Sequence, residues 1–243
     1  MKIYKNLKFN KILFTYVKNP LILFNFQSMI YKKIFILLLS FSMLSSSEFT
    51  ITRLKYGGGG DWYSNPSSIP NLLRFIKNET NISVSLEEIR CNIGSSKFYN
   101  NPYYYITGHG KIMFTDKERE ILRTVLTNGA FLHADDNYGM DKSFRVEIKK
   151  IFPEKKWIEL PPDHEIFNNF YTFDNGLPKI HEHDGKQPQA LGIFHDDKLI
   201  VLYTYESDLG DGWEDPEVHN HSLDLHYSAL KMGTNIIMHY LKN

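Results

Sequence analysis

Hydrophobic residues follow two different periods along the chain, and the two periods alternate. In residues 49–56 (FTITRLKY) apolar and β-branched residues alternate with other residues, which predicts a strand. The aromatic run at 103–107 and the short apolar run at 131–134 predict two further strands. Residues 69–79 instead place their leucines and isoleucine at helical spacing, so a helix is predicted between the first two strands.

The best-marked helix follows residue 115. Thr115 and Glu118 have the spacing of a capping box, an apolar stripe follows them, and Gly129 stands where such a helix would end. The remaining elements are less clearly marked. They are helices at 142–152 and 225–243, strands at 81–86 and 157–160, and a β-hairpin at 190–205 that turns at Asp196-Asp197.

This alternation of strands and helices predicts an α/β fold with a doubly wound, mostly parallel sheet of flavodoxin-like type, completed by the C-terminal hairpin and helix. In such sheets ligands bind beyond the carboxyl ends of the strands. Three of the predicted strands are followed by polar groups or glycines at that end. These residues are Gly57–Gly60 with Asp61 and Trp62, then His109, and finally His133, Asp135, Asp136 and Asn137.

Charge divides the chain into two parts. Residues 1–47 contain seven lysines and no acidic residue, so the 28 basic and 28 acidic residues of the whole chain leave 21 basic and 28 acidic residues from Glu48 onward. This acidic remainder does not favour nucleic acid as a partner. Cys91 is the only cysteine, so an internal disulfide is excluded.

The basic N-terminal part has the pattern of a secretory signal peptide. Lys32-Lys33 precedes the apolar run 34–44, and small serines follow it. We therefore expect a leader over 1–47, with the true start at Met29, and one domain over 48–243 that is exported to the periplasm or cell envelope. The alternative is an uncleaved anchor, which would be the only contact with a membrane.

Five motifs in order resemble the bacterial domain of unknown function 4159 (DUF4159). They are RLKYGGGGDWYSNPSSIPNLLRF, ITGHG, NGAFLHADDNYG, LPKIHEHDGKQPQALGIF and SDLGDGWEDPEVHN, and the resemblance covers nearly everything from Phe49 onward. That family resembles class I glutamine amidotransferase-like domains, including the trehalose-utilisation (ThuA-like) group, which implies the same fold. In true amidotransferases the turn after the strand that corresponds to 131–134 carries a cysteine nucleophile. Here it reads His133-Ala134-Asp135-Asp136, so thiolate glutaminase chemistry is not expected.

The strand ends supply the candidate site residues. A histidine beside a carboxylate can act as a general base, so the catalytic candidates are His109, His133, Asp135 and Asp136. The alternative for the aspartates is a structural turn that caps the next helix. The candidates for substrate binding are Gly59, Asp61, Trp62, Asn137, Asp211 and Trp213, the last two in a loop (207–220) that could be a lid, a sugar-binding loop with Trp213 as its stacking platform, or plain surface.

A metal site is the remaining hypothesis. His181, His183 and Asp184 are candidate ligands for a divalent transition metal, provided the chain folds back to supply more, and His219 and His221 could compete or contribute. The alternative is an exposed polar loop. If the protein is an enzyme, the sequence favours a hydrolase without a cysteine nucleophile, acting on a polar small molecule, carbohydrate or envelope-related ligand. A non-catalytic binding or scaffold module on the same fold is the alternative.

Overall fold

The computed structural model of the chain describes residues 48–243, so the predicted leader lies outside the described residues. Its strands are β1 (Thr52–Lys55), β2 (Ile89–Asn92), β3 (Tyr103–His109), β4 (Phe131–Tyr138), β5 (Ile158–Glu159), β6 (Gln189–His195) and β7 (Lys198–Tyr205). Its helices are α1 (Ser68–Glu79), α2 (Asp116–Thr127), α3 (Asp141–Ile151), α4 (Leu209–Trp213), α5 (Pro216–His219) and α6 (Leu223–Lys242), with short 3-10 turns at Ser96–Asn100 and Glu165–Phe167.

The strands form one seven-stranded sheet in the order β2-β1-β3-β4-β7-β6-β5. The first five are parallel, whereas β6 and β5 add on in antiparallel fashion. This arrangement confirms the predicted α/β fold, and the parallel part has the strand order of flavodoxin-like sheets. The predicted hairpin is β6–β7, where Asp196 and Asp197 both have positive φ, as a tight hairpin turn requires.

Helices cover both faces of the sheet. On one face α1, α4 and α6 pack their apolar side chains, among them Leu72, Trp213 and Ile237, against the sheet. On the other face α2 and α3 contribute Leu122 and Phe144. The capping box of α2 forms as predicted, since the side chain of Thr115 accepts from the amide of Glu118 and the Glu118 side chain accepts in return. Among the helices of residues 48–243, none combines the length and the apolar content needed to cross a membrane.

Two predicted elements differ from the structure. Residues 81–86 contribute only an isolated bridge between Val84 and Phe49, and the edge strand is β2 instead. Cys91 therefore lies within a strand, and its side chain is buried. The strand predicted at 131–134, which is β4, is longer than expected, because the backbone from Asp135 to Tyr138 continues to pair with β3.

Candidate functional site

The carboxyl ends of β1, β3, β4 and β7 lie at one edge of the sheet, because these four strands are parallel neighbours. The predicted common edge is therefore present, with one strand more than the sequence suggested. The chain beyond β7 runs through Glu206 and Asp208, both with positive φ, before α4 begins. This turn brings acidic side chains to the same edge.

The length of β4 moves the expected catalytic residues into the interior. Successive side chains of a strand point to opposite faces, so His133, Asp135 and Asn137 share the face covered by α4. All three are fully buried. The expectation that His133 and Asp135 line an open cleft is therefore wrong, since they lie within the strand and not beyond its end.

His133 is enclosed by aromatic rings. Its ring lies against Tyr105 and Trp213, and its Nε2 is 3.1 Å from the hydroxyl of Thr204. The second ring nitrogen, Nδ1, has no hydrogen-bond partner. Burial lowers the pKa of His133 to about 3, so the ring is neutral at physiological pH. Its surroundings make it a packed core residue with no route to a substrate.

Asp135 anchors the beginning of α4. Its carboxylate accepts hydrogen bonds from the backbone amides of Leu209, at 3.3 Å, and Gly210, at 2.7 Å, and from the hydroxyl of Thr204. Burial raises the pKa of Asp135 to about 7, against the opposing effect of these hydrogen bonds. Because its oxygens already bind the backbone of α4 and Thr204 of β7, Asp135 stabilises the packing of α4 on the sheet.

Asn137 and Asp211 belong to the same buried network. The amide of Asn137 donates to Asp211 Oδ1 at 3.1 Å, and Asn65 donates to the same oxygen at 2.6 Å. Asn137 accepts in turn from the hydroxyl of Thr107 at 2.6 Å. Asn137 is therefore not available to a ligand, and Asp211 has one oxygen fixed by two amides.

Trp213 is not a stacking platform. Its side chain is 1% exposed, and its Nε1 donates to the carbonyl of Ala229 at 2.8 Å. The loop that was expected at 207–220 folds largely as α4 and α5, and α4 buries Trp213 against the sheet. The hypothesis of a sugar-stacking Trp213 is wrong because the ring has no accessible face.

Asp61 and His109 do come together, as a pair on the surface. Asp61 Oδ2 lies 3.1 Å from His109 Nδ1, and Asp61 Oδ1 accepts from the backbone amide of His109. The His109 side chain is 52% exposed. In the same loop, a Cβ added to Gly59 would meet no neighbour, and Trp62 lies under the ammonium group of Lys55. This pair is open to solvent and free to meet a ligand.

A cleft of about 280 Å³ opens between the ends of β4 and β7. Its lining is polar and of both charges: Asp136, Tyr138, Gly139, Asp141, Lys142, His183, Asp184, Tyr205 and Glu206. Asp136 also accepts from the amide of Met140 at 3.1 Å and from the hydroxyl of Tyr203 at 2.8 Å. Asp136 therefore stabilises the turn into α3, as the structural alternative proposed, while one side of it borders the cleft.

His183 lies in this cleft and is held by a buried acid. Its Nε2 contacts Asp208 Oδ2, and its ring stacks on Tyr138 with 4.8 Å between centroids. Burial, reinforced by the nearby charge of Asp211, raises the pKa of Asp208 to about 10. Burial also lowers the pKa of His183. Both shifts favour the uncharged form of each group, in which the Asp208 carboxyl can donate a hydrogen bond to His183.

The ring centroids of His181 and His183 lie 4.9 Å apart, but the predicted metal ligands are engaged with other groups. Asp184 accepts from the hydroxyl of Tyr138 at 3.2 Å and from Lys186 at 3.3 Å, and His183 is engaged with Asp208. Within residues 48–243 no group of three or more His, Cys, Asp or Glu side chains is positioned to hold a metal ion. The trio of His181, His183 and Asp184 is thus not a ready-made metal centre.

Sequence reasoning missed Asp208, Tyr205 and Glu206. The pattern that could have found them is the hairpin at 190–205, whose second strand was not assigned to the parallel set. Had it been placed beside β4, the polar residues after it would have joined the candidates at the common edge. Their proximity to His183 is a tertiary contact that no local spacing reveals.

Comparison with known proteins identifies the family. Residues 50–241 match the domain of unknown function DUF4159, and the chain belongs to this family. No curated protein matches the chain. The likeness to glutamine amidotransferase-like domains stays a prediction from the sequence.

Proposed function

We propose that the protein binds a polar ligand in the cleft between β4 and β7 and hydrolyses it with His183 and Asp208 as its acid–base pair. The observation that carries this proposal is the contact between His183, which lines the cleft, and the fully buried carboxyl of Asp208. A buried acid that fixes one ring nitrogen orients the imidazole, and it supplies or accepts the proton that the reaction moves.

The lining of the cleft supports a polar, uncharged or zwitterionic ligand. Lys142 lines the cleft together with Asp184 and Glu206, and Lys186 pairs with both of these acids, so groups of both charges surround the space. Tyr138 and Tyr205 add aromatic surface at its rim. Carbohydrates and envelope-derived fragments present hydroxyls together with apolar ring faces, which is the chemistry such a lining would recognise.

The nucleophile in this proposal is water. The thiol of Cys91 is buried in β2 and burial raises its pKa, so it is far from the reactive thiolate of an amidotransferase. At neutral pH the His183–Asp208 pair carries a proton to donate to a leaving group and can then take one from the attacking water.

The test is a comparison of two variants with one control. His183→Gln and Asp208→Asn should lower kcat by about 10²- to 10⁴-fold on any substrate found in a panel of chromogenic esters, glycosides, amides and phosphate esters, with little change in KM. His195→Gln, at a partly exposed histidine beside Asp196 in the distant hairpin, should leave kcat unchanged. Full activity of His183→Gln would refute the proposed role.

A non-catalytic binding module is the second candidate. The observation that favours it is the raised pKa of Asp208, to about 10, since a neutral carboxyl makes His183 a weaker base than an ionised one would. In this case the panel shows no turnover, while a saccharide or envelope fragment still perturbs the signals of Tyr138 and His183 in NMR spectra of the protein.

We also propose that the protein is exported, with residues 1–47 removed. The lysine pair before the apolar run 34–44 and the start of the family match at residue 50 support a mature chain that begins near Glu48. N-terminal sequencing of the protein from a bacterial periplasmic fraction should read from about Glu48. An intact Met1 or Met29 in the membrane fraction would indicate an anchor instead.

A further inference from the structure

Two histidine pairs that are 38 residues apart in the chain meet beside α4 and α5. His181 and His183 come from the loop before β6, whereas His219 and His221 come from the end of α5 and the residues after it. The ring of His181 lies 5.8 Å from that of His221 and 6.4 Å from that of His219, measured between centroids. Three histidines, His181, His219 and His221, therefore surround one small region, which we call the histidine cluster.

Two pairs of ligand atoms face each other in this region. His181 Nδ1 and His221 Nε2 are 3.5 Å apart, and His219 Nδ1 and Asp211 Oδ2 are 3.4 Å apart. Two ligands that both bind a tetrahedral zinc ion at 2.0–2.1 Å are separated by about 3.4 Å. Each pair thus already has the spacing of one edge of a tetrahedral site.

The hydrogen bonds around the cluster leave the correct atoms free. His219 Nε2 lies 2.9 Å from Glu214 Oε2, and in the tautomer with its proton on Nε2 the Nδ1 atom presents a lone pair to Asp211 Oδ2. Two acceptors that face each other repel unless a proton or a metal ion lies between them. Asp211 is held for this role, because its other oxygen accepts from Asn65 and Asn137.

We propose that His181, His219, His221 and Asp211 bind one divalent transition metal of the zinc class, with Glu214, Asn65 and Asn137 as the outer hydrogen-bonding partners. Three neutral imidazoles and one carboxylate are a ligand set that such ions prefer. As positioned, the two pairs do not hold an ion together, so binding requires side-chain movement that closes the gap between them. The histidines are partly exposed, so an ion can enter from solvent.

This ligand set differs from the one that the sequence suggested. His183 is committed to Asp208, and Asp184 is committed to Tyr138 and Lys186. Only His181 is common to both sets. Metal binding can be tested separately from the proposed hydrolysis, because it is measured without a substrate. The two proposals also differ for His183→Gln, which should lower kcat but leave zinc affinity unchanged.

The experiment is a metal titration of the full chain, purified without a histidine tag and stripped with chelator. Zinc should bind at one ion per chain, and cobalt should give the visible absorption of a tetrahedral site. The double variant His181→Ala, His221→Ala and the single variant His219→Gln should each weaken zinc binding by at least about tenfold, and Glu214→Gln should weaken it by about tenfold. Circular dichroism confirms that each variant is folded.

His183→Gln and His195→Gln are the matched controls, and both should bind zinc within about twofold of the unaltered chain. Two results would overturn the proposal. One is zinc binding by the unaltered chain that is no tighter than that of His219→Gln, which would mean that a proton occupies the gap between His219 and Asp211. The other is a loss in His183→Gln as large as that in His219→Gln, which would favour a site built on the other histidine pair.

Discussion

The interior of β4 and the cleft at its end contain the same residue types in opposite situations. In the interior, His133, Asp135 and Asn137 are fully buried beneath α4. At the rim, His183 and Asp184 line a cleft and are accessible to solvent. Histidine and aspartate therefore stabilise the fold in the first region, whereas in the second they are candidates for binding or catalysis.

The physical reason for the difference is whether each group is closed off from solvent and which hydrogen bonds it already makes. Both oxygens of Asp135 accept hydrogen bonds, from two backbone amides and a hydroxyl. These bonds offset the free-energy cost of burying the carboxylate, and they hold the first turn of α4. His183 has one nitrogen fixed by Asp208 and its ring lies at the cleft. A buried polar group with full partners stabilises a fold, whereas a partly satisfied one at a surface can still bind something else.

The largest effect should come from breaking the interior anchor. Asp135→Ala leaves the amides of Leu209 and Gly210 without acceptors and should lower the free energy of unfolding by about 4 kcal/mol. Asp184→Ala, its matched control at the rim, should cost less than about 0.5 kcal/mol, because Asp184 is exposed. Urea denaturation measures both, and equal losses in the two variants would contradict the division into interior and rim.

Two glycine substitutions, one in the interior and one in an exposed loop, test the same comparison. A Cβ at Gly210 would lie 2.9 Å from Asn65 Nδ2 and from Tyr105 Oη, so Gly210→Ala should cost about 3 kcal/mol by overpacking. Gly59, in the exposed loop after β1, has φ of +93° and nothing within 4 Å of an added Cβ, so Gly59→Ala should cost only about 1 kcal/mol, through backbone strain. Thermal unfolding of both variants tests the order, and a larger loss for Gly59→Ala would reverse it.

The pH dependence of stability tests whether His133 is truly enclosed. Its folded pKa of about 3 lies below its ordinary value of 6.5, so between these values the unfolded chain binds a proton that the folded chain excludes. Stability from this group is complete above pH 6.5 and falls as the pH drops towards 3. His133→Gln should remove about 2 kcal/mol of the loss between pH 6.5 and about 5.

Comparing the unaltered chain with His133→Gln isolates the effect of His133, because Asp135 is present in both. The comparison is needed because Asp135 changes stability with pH in the opposite direction. The pKa of Asp135 is raised from 3.8 to about 7, so its stabilising contribution is present at low pH and declines as the pH rises through this range. Urea unfolding of both proteins at the two pH values gives the required difference. Parallel pH profiles would show that His133 is solvated.

The smallest effect should come from the exposed pair at the end of β3. His109→Ala removes a contact between a half-exposed ring and Asp61, so the free energy of unfolding should fall by less than about 1 kcal/mol. Chemical denaturation measures this change. A loss above about 2 kcal/mol would place His109 with the structural histidines rather than with those free to meet a ligand.

The sequence predicted the fold more fully than the site. The alternating strand of residues 49–56, the capping box at Thr115 and the hairpin turn at Asp196-Asp197 are local signals, and each element formed. The presence of Asp61 and His109 at one edge also followed, since both stand at the ends of strands predicted to be parallel in one sheet. The role of β2 was missed because residues 81–86 are as apolar as the edge strand itself.

What the sequence by itself determined is the set of elements and the common edge where parallel strands end, because these depend on periodicity, caps and turn residues close together in the chain. Only the tertiary structure decided which polar residues are sealed and which are open. The backbone of β4 pairs through Asp135 and beyond, which draws His133 inside, while the turn after β7 brings Asp208 to His183 and Asp211 to the histidine cluster. Burial and hydrogen-bond partners belong to contacts between distant segments, and local spacing does not encode them.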